Sequence, residues 1–476
     1  MTVILTLAAP LAGALVLAAL RGAARRTVHL VVAAATFLAA ASLVVGVTTG
    51  GVVTAFGGTM RADALSAWMA ALIALVGGLA ALEAARGVPE AAERWFFPLF
   101  HLFVFTMLAA VTSDDVGIMW VAVEGTTLAS VFLVHAERSR ESLEAAYKYL
   151  LICSVGIALA FVGTILIYFA DVRAIGHVDT ALRWTTLREL APALPDRLVE
   201  VAFVFVLVGY GTKAGLAPMH TWLPDAHSEA PAPVSALMSG VLLAVGLYAV
   251  VRFKTIVDIA AGPDFASRLL QSVGLMSVAV AALFLWAPTN FKRMLAYSSI
   301  EHVGLVCLGL GFGGPWGLAG AVVHVGNHAL AKSTLFVLAG RIRAAYGSAD
   351  IAAVRGLGRA MPVTSRGFVA AMLALMGLPP FGLFVSEVMI LRAGFERGHP
   401  IVAAVTIALL VLAFGGLLRA IHHMLDGDAP AGVRESSSWP SIAPMAVALL
   451  LLVVTGLAWP PGFAAALDHI VAAMGR

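Results

Sequence analysis

Apolar runs long enough to cross a bilayer follow one another from residue 3 to residue 458 with little between them. A helix spanning the hydrocarbon layer needs roughly 18 or more mostly apolar residues. Such runs lie near 3–20, 28–48, 63–82, 96–112, 115–134, 149–170, 200–217, 232–252, 267–287, 298–313, 315–340, 366–392, 400–424 and 440–458. The connectors are short, with one longer polar loop expected at 171–199, so no soluble domain fits between the runs. Inside lipid every backbone polar group must be satisfied by the protein, which leaves helices or a closed barrel. A barrel needs alternating segments of about ten residues, and that pattern is absent. The sequence therefore predicts an all-α polytopic membrane protein of about 14 transmembrane helices. Only 12% of its residues are charged, half the roughly 25% usual in soluble domains.

The first run has no basic region ahead of it and no clear cleavage site after it, so it reads as a retained helix. With the N-terminus outside, seventeen Lys and Arg residues fall on the inner side and eleven on the outer; Lys213 and Lys332 remain inside spans. That asymmetry predicts both termini on the outer side. The basic residues are scattered over loops, so the net charge of +3 points to no nucleic-acid partner. Cys153 and Cys307 lie singly in apolar runs. An iron–sulfur cluster takes about four ligands, so no cofactor is expected in this chain.

An ionisable side chain at membrane depth costs about 2.5–3.5 kcal/mol on insertion scales and is a functional candidate by default. Glu124 lies about nine residues into its run, near mid-depth at 1.5 Å per residue. Lys213 has no carboxylate within helical reach: its neighbours three and four positions away are Tyr210, Gly209, Leu216 and Ala217. Its partner must come from another helix, and Glu124 is the obvious one. A static ion pair would explain both residues, yet such a pair adds little net stability. His324, His328 and Lys332, spaced by four and four, line one helix face. Titratable groups in a row are what a proton relay requires. The two histidines alone could also hold zinc, but no acidic ligand lies between them and Lys332 would repel a cation, so no metal is expected.

Two of the runs should break. Gly215 and Pro218 interrupt the run beside Lys213, and Pro379 with Pro380 interrupt the run ahead of Glu387. Paired interrupted helices in matching positions are the mark of inverted-repeat transporters, where unwound backbone lines a hydrated path. The order of runs predicts N-terminal helices over 1–95, a five-helix repeat over 96–252, a second over 262–425, and a last helix with its tail over 436–476.

The stretches KAGLAPMHTWLPDAHSEAPAPVSALMSG (213–240), NFKRMLAYSSIEHVG (290–304), HVGNHALAKSTLFVLAG (324–340) and GLPPFGLFVSE (377–387) resemble the antiporter-like subunits of respiratory complex I. That family is shared with Mrp-type cation antiporters and membrane-bound hydrogenases. SSIEHVG, with Glu301 and His302, and PPFGLFVSE look most like the F-type membrane subunit of hydrogenase-4 and formate hydrogenlyase-type complexes. The resemblance implies two inverted five-helix repeats with discontinuous helices 7 and 12. It implies that Glu124 pairs with Lys213 and that His324, His328, Lys332 and Glu387 continue the pathway. His220, His227, Glu301 and His302 are further pathway candidates. The sequence departs from the family at helix 8, where Ala244 stands at the place of a lysine found in some members.

These readings predict a proton-translocating subunit of a redox-driven complex in a bacterial cytoplasmic membrane. Partner membrane subunits and a soluble redox arm would hold the metal clusters. Loss of Glu124 as counter-charge would release a proton from Lys213, to pass along His328, His324 and Lys332 to Glu387. The alternatives are a Na+(K+)/H+ antiporter subunit of Mrp type, a membrane subunit energising inorganic-carbon uptake, and a mere anchor for a catalytic arm.

Overall fold

The computed structural model describes residues 1–22, 24–176, 180–435, 439–459 and 461–475. Its helices in chain order are α1 (Thr2–Ala19), α2 (Ala24–Gly50), α3 (Ala64–Gly87), α4 (Glu90–Thr112), α5 (Val116–Val134), α6 (Arg140–Ile175), α7 (Trp184–Leu190), α8 (Asp196–Ala214), α9 (Trp222–Glu229) and α10 (Ala232–Leu237). They continue with α11 (Leu243–Ala260), α12 (Pro263–Leu285), α13 (Phe291–Phe312), α14 (Gly314–Tyr346), α15 (Leu357–Ala360), α16 (Pro362–Leu375), α17 (Gly382–Glu396), α18 (Pro400–Leu425), α19 (Trp439–Leu457) and α20 (Phe463–Gly475). Among the described residues the strands form one antiparallel hairpin, β1 (Val53–Ala55) with β2 (Met60–Ala62).

Ten described helical segments are long and apolar enough to cross a membrane by themselves. The interrupted pairs and α14 fall outside that set. At 33 residues α14 has ample length, but its histidines, asparagine and lysine lower its hydropathy. The chain is thus an all-α polytopic membrane protein.

Polar side chains set where several helices start. The Asp115 carboxylate accepts from the amides of Gly117 and Ile118 at the head of α5, and Asn290 does the same for Lys292 and Arg293 at α13. Ser139 and Ser142 form a reciprocal capping box on α6. Both expected breaks are present. Beyond α8 the backbone turns left-handed at Gly215 (φ 76°), a conformation in which a Cβ is costly, and helix resumes only at Trp222. Beyond α16 it does so at Gly377 (φ 65°) and resumes at Gly382. Ala217–Pro218 and Pro379–Pro380 are both cis.

The expected loop at 171–199 is largely helical. α6 extends to Ile175, α7 fills 184–190, and α8 begins at Asp196. The cause is burial of Trp184 and Leu187; the Trp184 indole donates to the Arg252 carbonyl at 2.8 Å. Residues 177–179 of that stretch, and 436–438, 460 and 476 of the expected C-terminal segment, lie outside the described residues.

Packing divides the chain into two compact units. One comprises Met1–Gly215, Val241–Leu269 and Ala465–Arg476; the other comprises Leu216–Gly240 and Leu270–Ala464. This division follows packing, whereas the expected 96–252 and 262–425 segments are repeats of chain order. In the first unit α6 and α8 meet backbone to backbone: a Cβ on Gly209 would overlap the main chain of Ala160 and Gly156, and one on Gly163 would overlap that of Ala202. Also there, Arg252 and Asp63 form a buried ion pair at 2.7 Å that ties α11 to the head of α3. In the second unit Gly274 and Gly304 let α12 approach α13, and Gly309 and Gly317 let α13 approach α14.

Candidate functional site

In the first unit Lys213 is wholly buried in the last turn of α8. The carbonyl end of a helix dipole favours a cation there. Its ammonium donates to Thr127 Oγ1 at 2.9 Å and to the Tyr149 hydroxyl at 2.7 Å, and it lies 4.7 Å from the Tyr149 ring centre. Thr127 in turn donates to Glu124 Oε2 at 3.2 Å. Ser154 of α6 donates to the other carboxylate oxygen at 2.8 Å. Glu124 and Lys213 are therefore joined through one hydroxyl, and they make no direct ion pair among the described residues.

The direction of each bond follows from its neighbours. Ser130 donates to the Thr126 carbonyl at 2.6 Å, so the Tyr149 hydroxyl, 2.7 Å away, donates to Ser130 and receives from Lys213. An ammonium has three hydrogens and two are committed. The third can leave without breaking either bond. Glu124 is only half-buried, on a face of α5 shared with exposed Val121, Leu128 and Phe132.

In the second unit helices α13, α14 and α17 converge. His302 Nδ1 lies 2.9 Å from His324 Nε2, and His324 Nδ1 lies 2.9 Å from Ser386 Oγ. Glu387, next along α17, brings a carboxylate oxygen within 4.8 Å of nitrogen atoms of both histidines. That carboxylate fills the space a Cβ on Gly377 would need, so the helix break makes room for it. The His328 ring is 5.2 Å from that of His302. Lys332 is buried and donates to the Leu295 carbonyl at 2.6 Å and to Ser298 Oγ at 2.5 Å. Glu301 is buried close enough to Lys332 for their charges to interact.

Several buried nitrogen atoms here have no protein partner: Nε2 of His328 and both ring nitrogens of His227, whose ring stands 5.7 Å from that of Phe336. Buried polar atoms without a partner are uncommon in folded proteins. Along α14 the order is Lys332, His328, His324, and then Glu387. A path ending at Glu387 thus meets Lys332 before the histidines, unlike the order expected from sequence. His220 sits half-buried in the α8–α9 interruption and joins neither cluster, and Ala244 is buried in α11.

The sequence reading missed Thr127, Tyr149, Ser154, Ser298 and Ser386. Thr127 had a usable signal, lying three residues after Glu124 on one helix face. Lys292 was also missed. It is buried at the start of α13 and donates to the carbonyls of Ser228 and Ala230 at 2.5 and 2.8 Å, completing the end of α9.

The sequence profile of the family described as NADH:quinone oxidoreductase/Mrp antiporter, TM matches residues 113–413. The chain belongs to this family. It is 40% identical over 369 residues to the hydrogenase-4 component F homolog of Methylacidiphilum infernorum, covering 77% of each chain. It is 34% identical over 386 residues to NADH-quinone oxidoreductase subunit N of Desulforudis audaxviator, covering 79% of this chain and 75% of that one. A solved chain of the membrane-bound sulfane sulfur reductase, an archaeal respiratory membrane complex, superposes with a TM-score of 0.89 at 26% identity, covering 99% of this chain and 97% of that one. Glu124, Lys213, His324, His328, Lys332 and Glu387 all lie within the matched span, as do both helix interruptions.

Proposed function

We propose that this NADH:quinone oxidoreductase/Mrp antiporter family member is a proton-translocating membrane subunit of a redox-driven complex. The observation that carries the reading is the buried Lys213, linked to Glu124 through the Thr127 hydroxyl. Moving one elementary charge against 100 mV takes about 2.3 kcal/mol. Displacing Glu124 takes the counter-charge away from a buried ammonium, which favours release of its proton. The half-buried position of Glu124 on an exposed apolar face of α5 suits displacement by an adjoining membrane subunit. Lys332, His328, His324 and Glu387 form a second set of stations, filled and emptied in alternation with Lys213.

In this reading the metal clusters belong to a soluble partner arm and the chain itself carries no cofactor. It sits in a bacterial cytoplasmic membrane with both termini outside, as the arrangement of basic residues supports. The test is proton uptake by vesicles holding the purified complex with Lys213→Ala or Glu387→Ala. Redox turnover without a pH gradient is expected; a gradient equal to that of the parent complex refutes the reading. Uptake that depends on Na+ instead assigns the ion to sodium.

A further inference from the structure

The hydrogen bonds around the His302–His324 contact fix the tautomer of His324. Ser386 donates its hydroxyl hydrogen to the Leu383 carbonyl at 2.9 Å, so its oxygen can only accept from His324 Nδ1–H. His324 Nδ1 thus carries the hydrogen of a neutral imidazole, which has only one, and His324 Nε2 turns a lone pair toward His302 Nδ1, 2.9 Å away.

A hydrogen on His302 Nδ1 is one way to satisfy that lone pair. The surroundings also meet the requirements of a transition-metal ion. Metal-binding histidines characteristically donate their second N–H to an oxygen, which fixes the tautomer, and His324 does so toward Ser386. Glu387 supplies the acidic ligand that the His324–His328 spacing lacked, and one donor atom from each of the three residues lies within 4.8 Å of the others. Two imidazoles and one carboxylate, with a fourth position left for water, form a donor set that zinc accepts. Glu301 stands near enough to Glu387 for their charges to interact, so two carboxylates can balance a divalent ion. Lys332, expected to repel a cation, is turned toward the Leu295 carbonyl and Ser298.

We propose that His302, His324 and Glu387 form a binding site for a divalent transition metal of the zinc type, whose occupancy excludes the proton from the pair and blocks the second cluster. The binding stands on geometry alone; the block rests on the proton-translocation reading.

The full complex, purified in mild detergent and stripped with EDTA, is titrated with Zn2+ by calorimetry, and its zinc X-ray absorption is recorded. One saturable ion per chain, held by two imidazole nitrogens and oxygen, is expected. Affinity should fall at least tenfold in His302→Gln, His324→Gln and Glu387→Gln. Absence of saturable binding, or unchanged affinity in the double variant His302→Gln/His324→Gln, overturns the site. If the variants do not assemble, the absorption spectrum of the parent complex decides, because fewer than two imidazole ligands refutes it. Zinc that binds as described yet leaves proton uptake unslowed overturns the block and counts against the proton route, with the metal site intact.

Discussion

Thr127→Val tests the first cluster most directly. Valine keeps the shape of threonine and removes the hydroxyl that accepts from Lys213 at 2.9 Å and donates to Glu124 at 3.2 Å. A hydrogen bond to a charged group contributes about 1.5–3 kcal/mol, and about 1.36 kcal/mol changes a rate tenfold. If the Lys213–Glu124 link sets the translocation barrier, proton uptake falls by about 10- to 150-fold. The assay is initial acidification of vesicles holding the purified complex, started with the redox substrate, with redox turnover followed in parallel. Thr127→Ser keeps the hydroxyl and is the control, expected to retain most of the rate. Lys213 keeps its bond to Tyr149 in the valine variant, so assembly is expected to survive. Uptake at the parental rate in Thr127→Val would show that the hydroxyl is a packing detail and that Glu124 and Lys213 communicate by another route.

Other substitutions separate electrostatics from packing. Tyr149→Phe removes the second acceptor of Lys213 while keeping the ring 4.7 Å from its ammonium; Tyr149→Leu removes both, so vesicle uptake should fall further in the leucine variant. Gly377→Ala places a methyl group where the Glu387 carboxylate lies, at a positive φ that itself costs about 1–2 kcal/mol; proton uptake should fall while membrane insertion, checked by protease protection, is retained. Asp63→Ala leaves Arg252 buried without its carboxylate, at a cost of about 3–5 kcal/mol. The thermal transition of the detergent-solubilised protein should drop, and Asp63→Leu combined with Arg252→Met should recover most of it.

The sequence revealed features whose causes are local. Gly215, Pro218, Pro379 and Pro380 interrupt helices by their own backbone chemistry, and the structure breaks where they stand. Lys213 and Lys332 were visible because a charge in an apolar run is costly wherever the chain goes next. What escaped depends on which helices meet. Thr127, Tyr149 and Ser154 are ordinary membrane-helix hydroxyls until α5, α6 and α8 are packed together. His302 and His324 are separated by 22 residues and Ser386 by a further 62, so no periodicity joins them. Lys292 lies between the apolar runs at 267–287 and 298–313, whereas its helix begins at Phe291. The 171–199 stretch misled for the opposite reason: its polar composition suggested a loop, while Trp184 and Leu187 were enough to anchor a helix.

The glycine contacts between α6 and α8 limit what can move in the first unit. With Gly209 pressed on the main chain of Ala160 and Gly156, and Gly163 on that of Ala202, neither helix can roll or slide without driving backbone into backbone. Tyr149 and Ser154 ride on α6 and Lys213 on α8, so these three share one rigid frame. Glu124 and Thr127 belong to α5, outside those contacts. Within that frame the part left to move is then the Lys213 butylamine chain, a mass small enough to switch without the slow repacking that a rocking helix demands.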